Sequence, residues 1–169
     1  KMKYSKEQTQ ALLQKIENSL RDHLLKNKIL DPIIIGVHTG GVWIAEWIQK
    51  RMNFDGKPAS LNISFYRDDF SKVGVNPKVE PTDMPVSIDD KHIILVDDVL
   101  FTGRTTRAAI NEIFDFGRPL SVTLVVLVER NGKELPISAD IVGEKLELAN
   151  DKNIKLEGPD PLFLEIIDK

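Results

Sequence analysis

The chain has no cysteine. Disulfides, thiolate metal sites and cysteine nucleophiles are thereby excluded, and the fold must rest on packing and hydrogen bonds alone. No apolar run approaches the roughly 20 residues that a bilayer span requires. The opening Lys1-Met2-Lys3-Tyr4-Ser5-Lys6-Glu7 turns polar at once and lacks the apolar core of a signal peptide. An excess of basic charge is also missing: 23 Lys and Arg stand against 26 Asp and Glu, so no global positive field draws the protein onto nucleic acid. Internal repeats, low-complexity tracts and a linker between two halves are absent as well. The expectation is a soluble, cytoplasmic protein of one domain over residues 1–169.

What is present is an alternation of buried strands and helices. Ser5 followed by Gln8 forms a capping box for a helix to about Lys26, with Leu12, Leu13, Ile16, Leu20 and Leu24 as one apolar stripe. Ile33–Val37 is a short continuous apolar run after Asp31-Pro32, as a buried strand would be. The Gly-containing turn His38-Thr39-Gly40-Gly41 leads into a helix predicted around Trp43–Arg51, where Trp43 and Trp47 lie four apart and are expected to pack together. Leu61–Tyr66 reads as a further strand. The polar stretch from Arg67 to Asp90, with Pro77, Pro81 and Pro85, has the length of a lid or of a disordered insertion.

A second apolar run, Ile93–Val96, is predicted to end in Asp97-Asp98 and to pass through Thr102-Gly103-Arg104-Thr105 into a helix over Thr105–Phe116. Gly117 stands where a helix C-terminal cap belongs, and Pro119 follows. Ser121–Val128 is a third buried run. Weaker apolar stretches follow at Ile137–Val142 and Leu162–Ile167. Strands alternating with helices predict an α/β fold, a mainly parallel central sheet with helices on its faces.

In such a sheet ligands bind beyond the carboxyl ends of the strands. Adjacent carboxylates there are costly unless something binds them, and the hydroxyl pair of a ribose would do so. The Thr-Gly-Arg-Thr turn, four residues on, supplies backbone N–H groups and two hydroxyls at a helix N-terminus, a cradle for phosphate. Together they describe a pocket for ribose 5-phosphate. His23 and His92 read as surface or packing residues rather than catalysts.

The string Ile93–Thr105, IILVDDVLFTGRT, closely resembles the phosphoribosyl diphosphate signature of type I phosphoribosyltransferases. More narrowly, the chain resembles the bifunctional pyrimidine-operon regulator/uracil phosphoribosyltransferase family, PyrR. The segments that carry this are Gly36–Gly41, Ile63–Ser71, Asp115–Pro119 and Glu134–Ile137, in the family's order. The resemblance implies that fold, with a flexible lid loop and a small hood. It implies that Asp97 and Asp98 hold the ribose hydroxyls. Val99, Leu100 and Phe101 complete the ribose 5-phosphate site, and Thr102, Gly103, Arg104 and Thr105 hold the 5′-phosphate. His38, Thr39, Gly40 and Gly41 would receive the diphosphate. Arg67, Asp68 and Asp69 would open the lid loop, with Arg67 catalytic beside Asp97 and Asp98. Val128, Glu129 and Arg130 would belong to the hood over the base.

The implied reaction joins uracil to phosphoribosyl diphosphate, giving UMP and diphosphate, with Mg2+ bridging substrate oxygens and no dedicated protein ligand for the metal. The implied partners are these small molecules and further copies of the chain in a homo-oligomer, with leader RNA for the family's regulators. Two departures bear on this. Gly40 stands where many relatives have an arginine, and Asn131-Gly132-Lys133 stands where RNA-binding relatives carry Gly-His-Arg. Two readings therefore stand side by side: a uracil salvage enzyme, and an RNA-binding sensor of UMP or phosphoribosyl diphosphate with little turnover. A purine phosphoribosyltransferase is the rival within the enzyme class.

Overall fold

The structure, a computed structural model, describes residues 2–63, 82–84 and 87–169. Eight strands and three helices follow in the order β1 (Met2–Lys3), α1 (Lys6–Lys26), β2 (Ile33–Val37), α2 (Gly40–Arg51), β3 (Ala59–Leu61), β4 (His92–Leu100), α3 (Arg104–Phe116), β5 (Ser121–Arg130), β6 (Ile141–Leu146), β7 (Lys152–Glu157) and β8 (Phe163–Asp168). Five strands make a sheet in the order β3-β2-β4-β5-β6, every pair parallel. Three more make an antiparallel sheet, β1-β8-β7.

Alternation along the parallel strands decides which helix each face receives. Ile34, Ile94, Val96, Val125 and Leu127 face a core built with α1 and α2, through Leu13, Ile16, Leu20, Ile44 and Ile48. Ile35, Val37, Ile93, Leu95, Leu124 and Val126 face the other way, against Ala108, Ala109 and Ile113 of α3. Leu156, Leu162 and Leu164 of the antiparallel region close the first core.

The capping box forms as its sequence predicts. Gln8 N donates to Ser5 Oγ at 3.0 Å, and Ser5 N donates to Gln8 Oε1 at 2.8 Å. Glu17 is buried on the same helix and joins α1 to α2, accepting from Arg21 Nε and Arg51 Nε at 2.9 Å each. The hydrogen bond from Arg51 outweighs burial and, with that from Arg21, holds the Glu17 carboxyl below its ordinary value.

Several boundaries differ from the sequence reading. Helix α2 starts at Gly40, not Trp43, and β3 spans Ala59–Leu61 rather than Leu61–Tyr66; Tyr66 lies outside the described residues. Strand β4 does not end before the diacid but runs through it to Leu100, with Val99 and Leu100 in register with Val128 and Glu129. Helix α3 begins at Arg104. The two tryptophans meet different neighbours: the Arg51 guanidinium lies 5.3 Å from the Trp47 ring, whereas Trp43 packs so close to Gly158 that a Cβ there would sit 2.9 Å from its Cε3. Two histidines make polar packing contacts, His23 Nε2 with Thr123 Oγ1 at 3.1 Å and His92 Nδ1 with Ser121 Oγ at 2.6 Å. Among the described residues, no helix is long and apolar enough to cross a membrane.

Candidate active site

Strands β2 and β4 are neighbours, but their chains leave in opposite directions. After β2 the chain crosses through α2 to β3 at the sheet edge; after β4 it crosses through α3 to β5. The crevice between their carboxyl ends is the topological switch point, where open α/β sheets bind ligands. Two helix N-termini meet there, and neither α2 nor α3 has an acidic residue in its first turn. Their unsatisfied N–H groups and dipoles favour an anion.

The loop His38-Thr39-Gly40-Gly41 is pressed against β4. A Cβ on Gly41 would lie 2.5 Å from the Val96 carbonyl oxygen and 3.0 Å from Asp97 Cα. A Cβ on Gly40 would overlap the Asp98 carboxylate, 2.9 Å from its Cγ. With Asp98 so placed, any side chain at position 40 would have to displace its carboxylate. The His38–Thr39 peptide is cis, and His38 N donates to the Leu61 carbonyl at 2.9 Å, tying the loop to β3.

The diacid can sit inside a strand because its carboxylates stand in for ladder partners. Asp98 N donates to Asp97 Oδ1, and Val99 N to Asp98 Oδ1, both at 2.8 Å. Asp97 is buried and Asp98 half-buried. Beyond Phe101 the chain turns at Thr102, which is buried and accepts from Arg104 N on its Oγ1 at 3.1 Å. Gly103 caps α3 at φ +96, a left-handed conformation that other residues rarely take. Thr105 lies half-buried in the first turn of α3.

The three residues expected in the hood have different surroundings. Val128 is fully buried in the first core. Glu129 binds Lys133 at 3.0 Å, Lys145 at 3.7 Å and the Ala139 N–H at 3.4 Å. Burial pushes its carboxyl up, but these partners together hold it below its ordinary value. Arg130 is buried and turned towards the antiparallel sheet, donating to the Lys152 carbonyl at 2.7 Å. Arg67, Asp68 and Asp69 lie outside the described residues. The far end of that long segment is tied to β3, where Ser60 and Asp83 exchange backbone hydrogen bonds and Asn62 N donates to Thr82 Oγ1.

Sequence reasoning gave the segment Glu134–Ile137 no role. Its backbone holds the Thr102–Thr105 turn: Glu134 N and Leu135 N both donate to the Thr102 carbonyl, at 2.9 and 3.2 Å. Arg104 Nη2 meets Glu134 Oε1 at 2.9 Å. Backbone bonds leave no signal in residue spacing, so this contact had to be seen. A cleft of about 290 Å3 lies at the opposite, amino-terminal end of β2, lined among others by Asp31, Gln49, Asp55, Lys57 and Asp83.

Residues 6–161 match the phosphoribosyl transferase domain family. A bifunctional protein PyrR from Nitrosococcus oceani is 52% identical over 158 residues, 92% of this chain and 89% of that protein. The chain belongs to the PyrR family of phosphoribosyltransferases. A second PyrR, from Pseudomonas savastanoi pv. phaseolicola, is 50% identical over 93% of this chain and 92% of its own length. Among solved structures, a hypoxanthine-guanine phosphoribosyltransferase from Bacillus anthracis superposes with a TM-score of 0.70 at 16% identity, covering 98% of this chain and 96% of that one. A hypoxanthine phosphoribosyltransferase from Trypanosoma cruzi gives 0.68 at 21% identity, over 88% of this chain and 79% of its own. The structural likeness is one of fold. The PyrR relatives extend it to the family and span nearly the whole chain.

Proposed function

We propose that this chain transfers the phosphoribosyl group of phosphoribosyl diphosphate to uracil, giving UMP and diphosphate, and that the crevice between β2 and β4 is where it does so. The observation that carries this reading is the meeting of the Asp97-Asp98 pair with two acid-free helix N-termini at the switch point of the sheet. The likeness to proteins named PyrR supports the pyrimidine over a purine as the base.

In this reading the turn Thr102–Thr105 takes the 5′-phosphate, and Asp97 and Asp98 accept from the ribose hydroxyls. The N–H groups opening α2, after His38 and Thr39 and at Gly40 and Gly41, receive the leaving diphosphate. Val99, Leu100 and Phe101 shape the wall between ribose and phosphate. Arg67, Asp68 and Asp69, outside the described residues, are assigned to the loop that closes over the site. No protein nucleophile is required. The C1–oxygen bond to diphosphate breaks as the C1–N1 bond to uracil forms, and the N1 proton leaves with the products. The protein contributes orientation and stabilisation of the departing negative charge. The two carboxylates are oxygen donors of the kind magnesium accepts directly or through water. When bound, the ion would neutralise charge on the diphosphate, held mainly by substrate oxygens with Asp97 and Asp98 beside it.

The relatives are named as bifunctional, and a regulatory role through RNA is what the resemblance implies for a second function. Around the hood, however, Lys133 and Lys145 are paired with Glu129, and Arg104 with Glu134. These cations are partly neutralised for phosphate contacts, so the transferase is placed first.

The test is formation of UMP from uracil, phosphoribosyl diphosphate and magnesium, with hypoxanthine and guanine run in parallel. Turnover with uracil alone is expected. Turnover with a purine instead would reassign the base. No turnover with any base, while UMP or phosphoribosyl diphosphate still binds, would favour the RNA-binding sensor.

A further inference from the structure

Arg130, the last residue of β5, is an unusual group to bury. Only 4% of it is exposed, its Nε has no hydrogen-bond partner, and burial lowers its pKa. Such a cation persists only where its remaining groups are well satisfied. Nη1 donates to the Lys152 carbonyl at 2.7 Å and Nη2 to the Ala149 carbonyl at 3.3 Å. These two carbonyls fix the plane of the guanidinium, and its carbon lies 4.3 Å from the centre of the Phe101 ring.

Phe101 is held from a second direction. Gly132 takes φ +115, and a Cβ there would come within 3.1 Å of Phe101 Cδ1. The next residue along the chain is Thr102, whose carbonyl is already bound by Glu134 N and Leu135 N. A single segment, residues 130–135, thus grips the residue before the phosphate turn and the turn itself. A guanidinium committed to two carbonyls and a ring is not free to recognise a base.

We propose that Arg130 is a positioning residue for the phosphate cradle: it touches no substrate, and through Phe101 it sets the approach of Thr102–Thr105. The proposal rests on the reading of Asp97–Thr105 as the phosphoribosyl diphosphate site. It gives Arg130, expected only as part of the hood segment, a role of its own. It also couples the β6–β7 connection to the site, since Ala149 in the turn and Lys152 at the start of β7 supply the carbonyls.

The test compares wild type with Arg130→Lys, Phe101→Leu and the double variant, using calorimetric binding of phosphoribosyl diphosphate with magnesium and steady-state kinetics against both substrates. Arg130→Lys keeps the charge but loses the planar fork, and is expected to weaken phosphoribosyl diphosphate by about tenfold, the scale of a desolvated cation–ring contact. The KM for uracil should move by less than about twofold, and the double variant should be no worse than the worse single one, since both act along one path. If Arg130→Lys does not fold, Phe101→Leu carries the same expectation alone. Unchanged affinity for phosphoribosyl diphosphate in the folded variants, a shift confined to uracil, or additive losses would overturn the positioning role. A wild type that fails to bind phosphoribosyl diphosphate would instead sink the transferase reading beneath it.

Discussion

The parallel sheet buries its strands along most of their length: in β4, Ile93 through Val96 are wholly enclosed, and in β5 the same holds for Leu124 through Val128. In the antiparallel sheet, β7 and β8 show alternate residues to solvent and carry charged pairs on the outside, such as Lys152 with Asp168 and Lys155 with Glu157. The difference goes beyond burial. Parallel strands need crossovers, and the two that run through α2 and α3 each leave a helix N-terminus at the carboxyl edge of the sheet, where anions bind. A hairpin such as β7–β8 leaves none. The first sheet therefore holds the proposed site, while the second covers the core and braces it, through Leu164 on one side and the Lys152 carbonyl that binds Arg130 on the other.

The strongest way to break this division is at the diacid. Asp97→Asn with Asp98→Asn should weaken phosphoribosyl diphosphate by about a hundredfold or more, the loss of two charge-assisted hydrogen bonds. The thermal midpoint should move little. Calorimetry and a melting curve check both, and retained affinity would remove the diacid from the site. The opposite experiment is Leu164→Ala in the antiparallel sheet. It should cost about 2–5 kcal/mol of stability in denaturant unfolding, as for other buried leucines. Substrate affinity of the folded fraction should hold; an equal loss of binding would mean the two sheets are not separable.

The sequence made the first sheet readable and left the second nearly silent, for the same reason. Continuous β-branched runs such as Ile33–Val37 and Ser121–Val128 announce buried strands. Segments like Lys152-Asn153-Ile154-Lys155-Leu156-Glu157 place only two apolar residues among charged and polar ones and read as surface. Periodicity also misjudged the diacid. Two acids looked like a strand end, yet their carboxylates accept the N–H groups of Asp98 and Val99 and let β4 continue. The phosphate turn was legible from local chemistry. Its grip by residues 130–135 was not, because it consists of backbone bonds and a ring contact between segments about thirty residues apart.

Two smaller tests sharpen the comparison. Gly40→Ala should push on the Asp98 carboxylate and raise the KM for phosphoribosyl diphosphate by about tenfold, in the range of about 1–3 kcal/mol that overpacking costs. An unchanged KM would mean that Asp98 moves aside freely. The smallest effect concerns Glu17, where α1 meets α2. Its folded-state pKa lies below the unfolded one, so its contribution to stability is present above the ordinary carboxylate range and is lost as pH falls through the folded value. Glu17→Gln should therefore flatten the stability profile below about pH 4. The change should stay near 1 kcal/mol, since both arginine partners are about half exposed.

The register of β2 against β4 pairs Ile33 with Ile93, sixty positions along the chain, whereas β7 and β8 are joined by a short turn after Glu157. Loop closure makes the first pairing slow and the second fast. The hairpin can form while the crevice does not yet exist, because His38–Gly41 and Asp97–Thr105 face each other only once β2 and β4 have met. In the proposed function a ligand spanning both loops binds only the fully paired chain, so phosphoribosyl diphosphate would act as a clamp on a pairing made between distant segments.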